Sequence, residues 1–452
     1  MSSHIENTIK AIKEPEREIK VIREADVVVV GGGPAGVAAA VAAARNGADT
    51  VLIERYGHLG GMATGGLVIL IPHMSAGTEV MEIQGTCLEM IERLNSLGAA
   101  LHPPREHLGL ADDGIVKKYR HFFDFTVDGR VRMSVYYDPE MLKCVLNDMI
   151  EEAGVKLYLH SWGAKAITEN NSVKGVIFES KSGRQAVLGK VTIDATGDGD
   201  MIESAGADFD GAIDKNLRSS NLALVFRVGN IDADKFNDFK ENEVAKWNEC
   251  IEEIRKLEAY HVCLPTNRPD VRWFNNWIPN RHPLNIEDLT WVEVNVRKKM
   301  LVTLDYFKKN IPGFKDSFIL DTASQLGTRG SRRLVGEHIL TYDELRAGKI
   351  HEDTVAVIPP LKHNVSEEWP NGFIPYRSLV PIKMEDFLVA GRSFSSDAVT
   401  NDLLNLIPFC VALGQAAGTA AAMALDQGIK LRKVDYEALK KKLIDQGAYL
   451  PS

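Results

Sequence analysis

Residues 27–40 read VVVVGGGPAGVAAA, four valines followed by three glycines, a proline and small apolar residues. A β-branched run without alternation is typical of a strand buried on both faces of a parallel sheet. Gly31, Gly33 and Gly36 fit the pattern G-x-G-x-x-G, which allows a tight turn, a close approach of pyrophosphate and close packing of the next helix. The stretch therefore predicts a strand, a turn and a helix whose N-terminus binds an anion.

A second predicted strand, residues 50–53, extends this interpretation. It ends at Glu54, eighteen residues after Gly36, where an acidic side chain accepts hydrogen bonds from ribose hydroxyls. Pro34 suits the first helical turn, because the amide donor that it lacks would have no partner there. The order of strand, helix, strand and acid predicts a bound dinucleotide.

A second glycine-rich passage favours FAD over NAD. Residues 55–66 read RYGHLGGMATGG, and side chains larger than glycine would collide with a cofactor lying along this backbone. Two later predicted strands also end in glycine motifs, VTIDATGDGD at 191–200 and DFLVAGR at 386–392. The helix after the second strand begins near Leu406 and Ile407, where its dipole would stabilise an anionic reduced flavin.

With three further blocks, these motifs resemble FAD-dependent oxidoreductases of the glutathione-reductase type, distant relatives of succinate dehydrogenase and fumarate reductase flavoprotein subunits. The blocks are LGTRGSRRLVGEHILT (326–341), IPYRSLVP (374–381) and LGQAAGTAAA (413–422). The resemblance covers about residues 24–430. It implies an α/β fold in which an α+β substrate domain is inserted into a discontinuous, Rossmann-like FAD-binding domain.

The predicted FAD-binding domain comprises residues 24–66, 137–205 and 386–430. The substrate or cap domain comprises residues 67–136 and 206–385, and residues 431–452 form a C-terminal helix. The cofactor-binding positions are Gly31, Gly33, Pro34, Ala35, Gly36, Glu54, Arg55, Gly61, Met62, Ala63, Ala164, Ala195, Gly197, Gly391, Arg392, Leu406 and Ile407.

Some related flavoproteins bind FAD covalently through a histidine in the loop that contains His58. The spacing from His58 to the glycines at 65–66 differs from that pattern, so we expect noncovalent FAD. The sequence departs from the family pattern near the expected flavin and substrate surfaces. We therefore do not expect the family's chemistry to apply to this chain in every detail. The departures are Gly330, Ala398, Val399 and Asn405.

Candidate catalytic residues fall in the predicted cap. Arg329, Arg332 and Arg333 form a basic cluster, in which one arginine could bind a substrate carboxylate while another pairs with Glu337 or Asp343. Structural ion pairs are the alternative interpretation of all three.

Two further segments could manage a proton. His363 could act as an acid or a base, because imidazole is the side chain best suited to proton transfer at neutral pH, and Tyr376 stands beside Arg377, where a phenol could donate a proton. The plainer interpretations are a surface histidine and a core tyrosine whose hydroxyl is satisfied.

Composition limits the classes of partner. The chain has 452 residues, a net charge of −9 and a pI near 5.8, which argues against nucleic acid and anionic membranes. The apolar stretch 403–425 contains Asn405, Pro408 and Gln415, so we expect a buried helix rather than a membrane span. Five cysteines without CxxC or Cys/His spacing predict free thiols in the cytoplasm and no bound metal.

The sequence thus predicts an FAD-dependent oxidoreductase, a dehydrogenase or reductase that transfers hydride between a small polar substrate and flavin N5. Two alternatives stay open: a flavin monooxygenase or halogenase, and a flavoprotein subunit that relays electrons within a complex. The expected partner is a small molecule, and self-association into a homo-oligomer is also open. The sequence does not identify the substrate, the direction of reaction or the electron acceptor.

Overall fold

The computed structural model of the protein describes residues 12–451. A seven-stranded sheet carries the first motif. Its strands are β1 (Lys20–Val30), β2 (Thr50–Ile53), β3 (Lys156–Tyr158), β4 (Trp162–Glu169), β5 (Ser172–Ser180), β6 (Gly183–Asp194) and β7 (Phe387–Val389). The order is β3-β2-β1-β6-β5-β4, and β7 pairs with the C-terminal end of β6.

The sheet has a parallel part and an antiparallel part. β3, β2, β1, β6 and β7 run parallel, whereas β6, β5 and β4 form an antiparallel meander. The valines at 27–30 are almost completely buried, as expected for a strand covered on both faces. Because the parallel strands end at one edge, the loops after Val30, Ile53, Asp194 and Val389 meet there.

Two helices of small residues cover one face of the parallel strands. They are α1 (Pro34–Arg45) and α3 (Ile407–Gln427), with α2 (Pro139–Glu152) between them in the chain. A Cβ at Gly414 would lie 2.1 Å from Ala35 O, and a Cβ at Gly418 would lie 2.1 Å from Ala39 O. The two helices therefore cross in backbone contact, which only glycine allows at these positions.

Within the described residues, α3 is the helix that is long and apolar enough to span a membrane. It is 94% buried inside the fold over its most apolar window, and a buried core helix passes the same test. The long apolar stretch is thus accounted for by packing within the protein.

The remaining helices and strands lie mostly in the predicted cap segments, and all but the helix Ile286–Asn310 are short. The other helices are Thr86–Ser96, Asp113–Tyr119, Asp200–Ala205, Ala233–Asn242, Val244–Lys256, Ile286–Asn310, Tyr342–Arg346, Ala398–Leu404 and Tyr436–Asp445. The other strands are Leu70–Ile71, Ala100–Leu101, Thr126–Val127, Arg130–Val131, Val135–Tyr137, Phe209–Asp210, Leu222–Ala223, Phe226–Gly229, Cys263–Pro265, Val271–Phe274, Phe318–Thr322, Gly327–Thr328, Arg333–Leu334, Thr354–Ile358 and Gly372–Pro375.

A second hydrophobic core lies mainly in residues 222–323 and also includes Leu67 and Ile69. Four antiparallel strands, Cys263–Pro265, Val271–Phe274, Phe226–Gly229 and Phe318–Thr322 in that order, pack with the helix Ile286–Asn310. Phe274, Phe307 and Phe314 contact one another edge-on at its centre. This core is separate from the core around α1 and α3.

Candidate functional site

The loop after β1 has the backbone geometry that the glycine pattern predicts. Gly31 has φ +98°, and a Cβ there would lie 2.5 Å from Ala195 O. A Cβ at Gly36 would lie 1.7 Å from Gly31 O, so α1 begins directly against the turn. Beyond Gly33 there is open space, with no atom within 4 Å of a Cβ built there. This open space lies directly before the N-terminus of α1, which no described side chain caps.

A cleft of about 840 Å³, including its open mouth, lies along this edge of the sheet. It collects segments that are hundreds of residues apart in the chain. The predicted cofactor residues that line it are Gly31, Gly33, Pro34, Ala35, Glu54, Arg55, Gly61, Met62, Ala195, Gly197, Gly391, Arg392 and Ile407.

Four predicted cofactor residues lie outside the lining. Gly36 is buried at the packing contact just described, and the Ala63 carbonyl accepts a hydrogen bond from Tyr137 Oη at 2.8 Å. Leu406 is the N-cap residue of α3. Ala164 is exposed on β4 and lies outside the lining, whereas Trp162 and Gly163 before it line the cleft, so the structure does not support the assignment of Ala164 to the cofactor.

Glu54 is held rigidly at the end of β2. One carboxylate oxygen accepts a hydrogen bond from Gly32 N at 2.5 Å and the other accepts one from Tyr56 N at 2.7 Å. Burial raises the pKa of the Glu54 carboxyl, although these two backbone donors act in the opposite direction. The carboxyl is 5% exposed and faces the cleft, as a ribose-binding acid must.

The lining residues that the sequence analysis missed include Ser161, Trp162 and Gly163. They lie at the start of β4, beside Arg55, whose guanidinium lies 5.3 Å from the centroid of the Trp162 ring. A half-exposed tryptophan and a planar cation offer flat surfaces beside the ribose-binding acid. An exposed tryptophan at the start of a strand was the one available signal.

The opposite end of the cleft is formed by residues from the last third of the chain. Gln325, Arg392, Asn405 and Ile407 line it, whereas Gly391 lines the cleft next to Ala35 at the start of α1. We expect the ribose at Glu54 and the pyrophosphate at the N-terminus of α1, with the rest of a long dinucleotide extending toward this end.

Asp198 fixes Arg392 at this end of the cleft. Its Oδ1 accepts hydrogen bonds from Arg392 Nη2 at 2.9 Å and from Ser331 Oγ at 2.7 Å. Burial opposes ionisation of Asp198, but the Arg392 guanidinium and the Ser331 hydroxyl hold the pKa of its carboxyl below the usual value. The carboxylate thereby joins the ATGD loop to the 326–341 block and to the strand end at Gly391.

Arg329 does not itself line the cleft, but it neighbours Asn405 of the cleft wall and forms no ion pair among residues 12–451. Its Nη2 lies 3.5 Å from Asn405 Oδ1, and its buried Nε has no hydrogen-bond partner there. Burial, reinforced by the charge of Arg218, lowers the pKa of the Arg329 guanidinium to about 10. Arg218 itself pairs with Asp402 at 3.1 Å.

The other two arginines of the cluster are structural, and the pairing predicted for them with Glu337 or Asp343 is wrong. Arg332 Nη1 donates to Asp198 O at 3.0 Å and lies 3.3 Å from Asp200. Arg333 Nη2 pairs with Asp210 at 2.5 Å. Arg332 and Arg333 pair with different carboxylates, and both partners come from other segments of the chain.

The structure also corrects the predicted proton-transfer residues, since none of them lines the cleft. His363 stacks on Trp369 with ring centroids 4.1 Å apart and lies 3.4 Å from Asp128. Tyr376 is fully buried and donates its hydroxyl to Leu431 O at 3.1 Å, and burial raises its pKa far above the usual value. Both match the plainer interpretation of the sequence.

Arg377 is likewise committed to an ion pair. Its Nε and Nη2 each donate to a different oxygen of Asp353 at 3.0 Å, and this pairing raises the pKa of the guanidinium. Asp353 also accepts from Arg377 N at 2.9 Å. The arginine fastens the turn at residues 376–379 to the strand Thr354–Ile358 and does not reach the cleft.

Comparison with known proteins identifies the family. A family model described as FAD dependent oxidoreductase matches residues 26–443. The chain belongs to this family. FAD is therefore its cofactor, and the cleft is the place where the family motifs meet. No curated protein matches the sequence.

Solved structures also match most of this chain, but at low sequence identity. A geranylgeranyl bacteriochlorophyll reductase-like protein from Thermoplasma acidophilum is 16% identical, with a TM-score of 0.44 over 94% of this chain and 84% of its own. The flavin-dependent brominase Bmp2 is 14% identical, with a TM-score of 0.46 over 93% and 83%. The p-nitrophenol 4-monooxygenase PnpA from Pseudomonas putida DLL-E4 is 12% identical, with a TM-score of 0.47 over 93% and 84%. Values this low carry no argument about the reaction.

The residues of the cleft fit FAD. Buried polar atoms without partners in the described part of the chain cluster at its far end: Gln325 Oε1, Arg392 Nε and Asn405 Nδ2. Each unpaired buried group costs free energy, so a polar ligand is expected to satisfy them. At the other end, the open space at Gly33 and the uncapped helix N-terminus suit a pyrophosphate.

His58 lies outside the cleft lining. Its ring stacks on Tyr56 with centroids 5.6 Å apart, and a Cβ on Gly65 would lie 2.3 Å from its Cε1. Burial lowers the pKa of the imidazole. The ring thus fills space between two loops.

Proposed function

We propose that the protein is an FAD-dependent dehydrogenase or reductase whose small polar substrate carries a carboxylate bound by Arg329. Bound FAD supplies two-electron chemistry, accepting or donating a hydride at its ring. The observation that carries the proposal is that Arg329, next to Asn405 of the cleft wall, has no carboxylate partner within residues 12–451, whereas Arg332, Arg333 and Arg377 are already paired with carboxylates.

The surroundings of Arg329 support an anionic ligand. A guanidinium that is buried without an acidic partner is unfavourable, and its lowered pKa of about 10 reflects that cost. A carboxylate offers two oxygens to the planar fork of donors, and such a bidentate pair fixes the orientation of a substrate as well as its position. Asn405, 3.5 Å from Arg329, lines the cleft and would contact the same molecule.

The topology supports placement among glutathione-reductase-type flavoproteins, which we include in the proposal. The parallel strands β3, β2, β1, β6 and β7 with the attached antiparallel meander β4–β6 match the discontinuous FAD-binding domain expected from the sequence. Under this proposal, the four-stranded sheet and long helix of residues 222–323 form the substrate-facing cap.

Anaerobic mixing tests the reaction class. Purified protein is mixed with hydroxy acids, amino acids and enoates, and with uncharged alcohols and amines of the same size. We expect carboxylate-bearing compounds to change the flavin absorbance and the uncharged compounds to fail. The proposal would be contradicted if the flavin absorbance responded to no carboxylate and the protein oxidised NADPH only when oxygen was present. That result would favour a monooxygenase or halogenase.

Substitution of Arg329 tests its role. Arg329→Gln is expected to lower kcat/KM for the carboxylate substrate by roughly 100-fold or more, because a charge-assisted bidentate contact is worth about 3 kcal/mol. Arg333→Gln is the matched control, since that side chain pairs with Asp210. Equal losses in both variants, or unchanged kinetics in Arg329→Gln, would remove Arg329 from the site.

We also propose that FAD is bound noncovalently, because His58 is packed against Tyr56 and Gly65. Acid precipitation of the yellow holoprotein is expected to leave all of the flavin in the supernatant. Flavin retained in the pellet after washing would show a covalent bond instead.

A further inference from the structure

Outside the cleft, three side chains with metal-ligating atoms converge. His338 follows the strand Arg333–Leu334, Glu344 lies in the helix Tyr342–Arg346, and His351 precedes the strand Thr354–Ile358. One ligand atom from each lies within 4.8 Å of the others. None of these residues lines the cleft, so the cluster is independent of the proposed FAD site.

The geometry of the cluster is tight and partly prearranged. His338 Nε2 lies 2.9 Å from Glu344 Oε2, and the two imidazole rings lie 4.9 Å apart at 67°. Glu344 Oε1 points the other way and accepts from Lys349 Nζ at 2.6 Å, while Thr341 N donates to Oε2 at 3.3 Å. A hydrogen-bonded carboxylate of this kind is typical of metal ligands, because the outer contact fixes its orientation.

An unpaired nitrogen independently points to a ligand. His351 is 7% exposed, and its Nε2 is buried without a hydrogen-bond partner within residues 12–451. The side chain belongs to the cluster and neighbours His338, yet that nitrogen makes no hydrogen bond to either of the other two side chains. A neutral imidazole nitrogen in this position is satisfied by a metal ion that accepts its lone pair.

We propose that His338, Glu344 and His351 bind one Zn²⁺ ion, with water as the fourth ligand. Two imidazole nitrogens and one carboxylate oxygen form an established zinc donor set, with bonds of about 2.0–2.2 Å. Rotation of the half-buried His338 side chain, which is 21% exposed, closes the remaining distance and leaves an open side for water. The ion has no part in the redox reaction.

The site is structural because it joins three segments that support the cleft. Tyr342 N, at the start of the helix carrying Glu344, donates to Asp397 Oδ2 at 2.8 Å. Asp397 in turn caps the helix Ala398–Leu404, which leads directly to Asn405 in the cleft wall. Zinc would therefore stabilise the base of this helix without contacting FAD.

Zinc titration of the chelator-treated protein tests the site. With a chromophoric competitor present, we expect one Zn²⁺ per chain and an increase in Tm with zinc concentration. His351→Asn is expected to weaken binding at least 100-fold. If that buried substitution impairs folding, His338→Asn provides the same test at a more exposed position. His282→Asn, at an exposed histidine outside the cluster, is the matched control and keeps wild-type binding.

X-ray absorption at the zinc edge separates this site from adventitious binding to thiols such as exposed Cys144. Two imidazole ligands, with nitrogen and oxygen neighbours alone, are expected. Sulfur in the first shell, stoichiometry near zero, or equal affinity in the wild type and His338→Asn would overturn the proposal.

Discussion

At the residue scale, Glu54 shows how one side chain serves the local structure and the cofactor together. Its carboxylate accepts two backbone hydrogen bonds, which hold the loop after β1 against the loop after β2. Each carboxylate oxygen has further lone pairs for ribose hydroxyls. The same group therefore holds the turn after β1 in place, and we expect it to accept hydrogen bonds from the ribose.

Replacing Glu54 is expected to weaken FAD binding more than it weakens folding. Glu54→Ala removes the ribose acceptor and leaves Gly32 N and Tyr56 N without their partner, so the Kd for FAD should rise roughly 10- to 100-fold, or about 1.4–2.8 kcal/mol. Titration monitored by flavin fluorescence measures this. Glu24→Ala, at an exposed acid on the same sheet, should bind FAD as the wild type does. Matching affinities for the two variants would refute the role of Glu54.

At the element scale, the crossing of α1 and α3 determines how closely the last quarter of the chain approaches the first motif. Gly414 and Gly418 face Ala35 and Ala39 with no room for a methyl group. This contact brings Ile407, at the N-terminus of α3, to the cleft that begins at the N-terminus of α1. Small residues in both helices thus have a functional consequence.

Gly418→Ala is expected to destabilise the protein. Alanine gains about 1 kcal/mol of helix propensity over glycine, but its Cβ would lie 2.1 Å from the backbone oxygen of Ala39, and overpacking of this kind costs about 1–3 kcal/mol. A backbone oxygen cannot rotate away as a side chain can, so the steric cost exceeds the gain in helix propensity and Tm falls. Gln427→Ala, at an exposed position of the same helix, should change Tm little. A higher Tm in Gly418→Ala would show that the helices separate freely.

At the scale of the whole molecule, buried acids far from the cleft give stability a pH dependence. Glu82 is 4% exposed, and burial raises the pKa of its carboxyl to about 7. Its two oxygens accept from Ala76 N at 3.1 Å and from Asn371 Nδ2 at 3.4 Å, which joins the two predicted cap segments. In the unfolded chain the same carboxyl ionises near 4.5.

The sign of this dependence follows from linkage. Between pH 4.5 and about 7 the folded protein holds a proton that the unfolded chain has released, so the stabilising contribution of Glu82 is lost as pH rises through this window. Relative to the wild type, the free energy of unfolding of Glu82→Gln should rise by up to about 3 kcal/mol between pH 5 and pH 8. Denaturant unfolding at several pH values measures the change, with exposed Glu151→Gln as control. A gap between Glu82→Gln and wild type that does not vary with pH would contradict this origin.

Local signals in the sequence determined the first motif and its partners. The turn at 31–36 and Glu54 were predictable because backbone sterics and strand ends act over a few residues, and the capping box of Thr341 with Glu344 is present for the same reason. By contrast, the periodicity of residues 234–258 predicts one amphipathic helix, but the structure has two helices that meet at Glu243, and Trp247 of the second packs edge-on against Phe236 and Phe239 of the first. Periodicity does not encode that contact.

The choice among the charged and titratable side chains was made by tertiary structure alone. In the sequence Arg329, Arg332 and Arg377 look equivalent, yet distant carboxylates, Asp200 for Arg332 and Asp353 for Arg377, neutralise two of them and leave the third unpaired. The dinucleotide-binding unit could be predicted without the structure, because it depends on glycines and strands within one βαβ unit. Which charge remains available to a substrate depends on partners brought together by folding, and no local pattern specifies them.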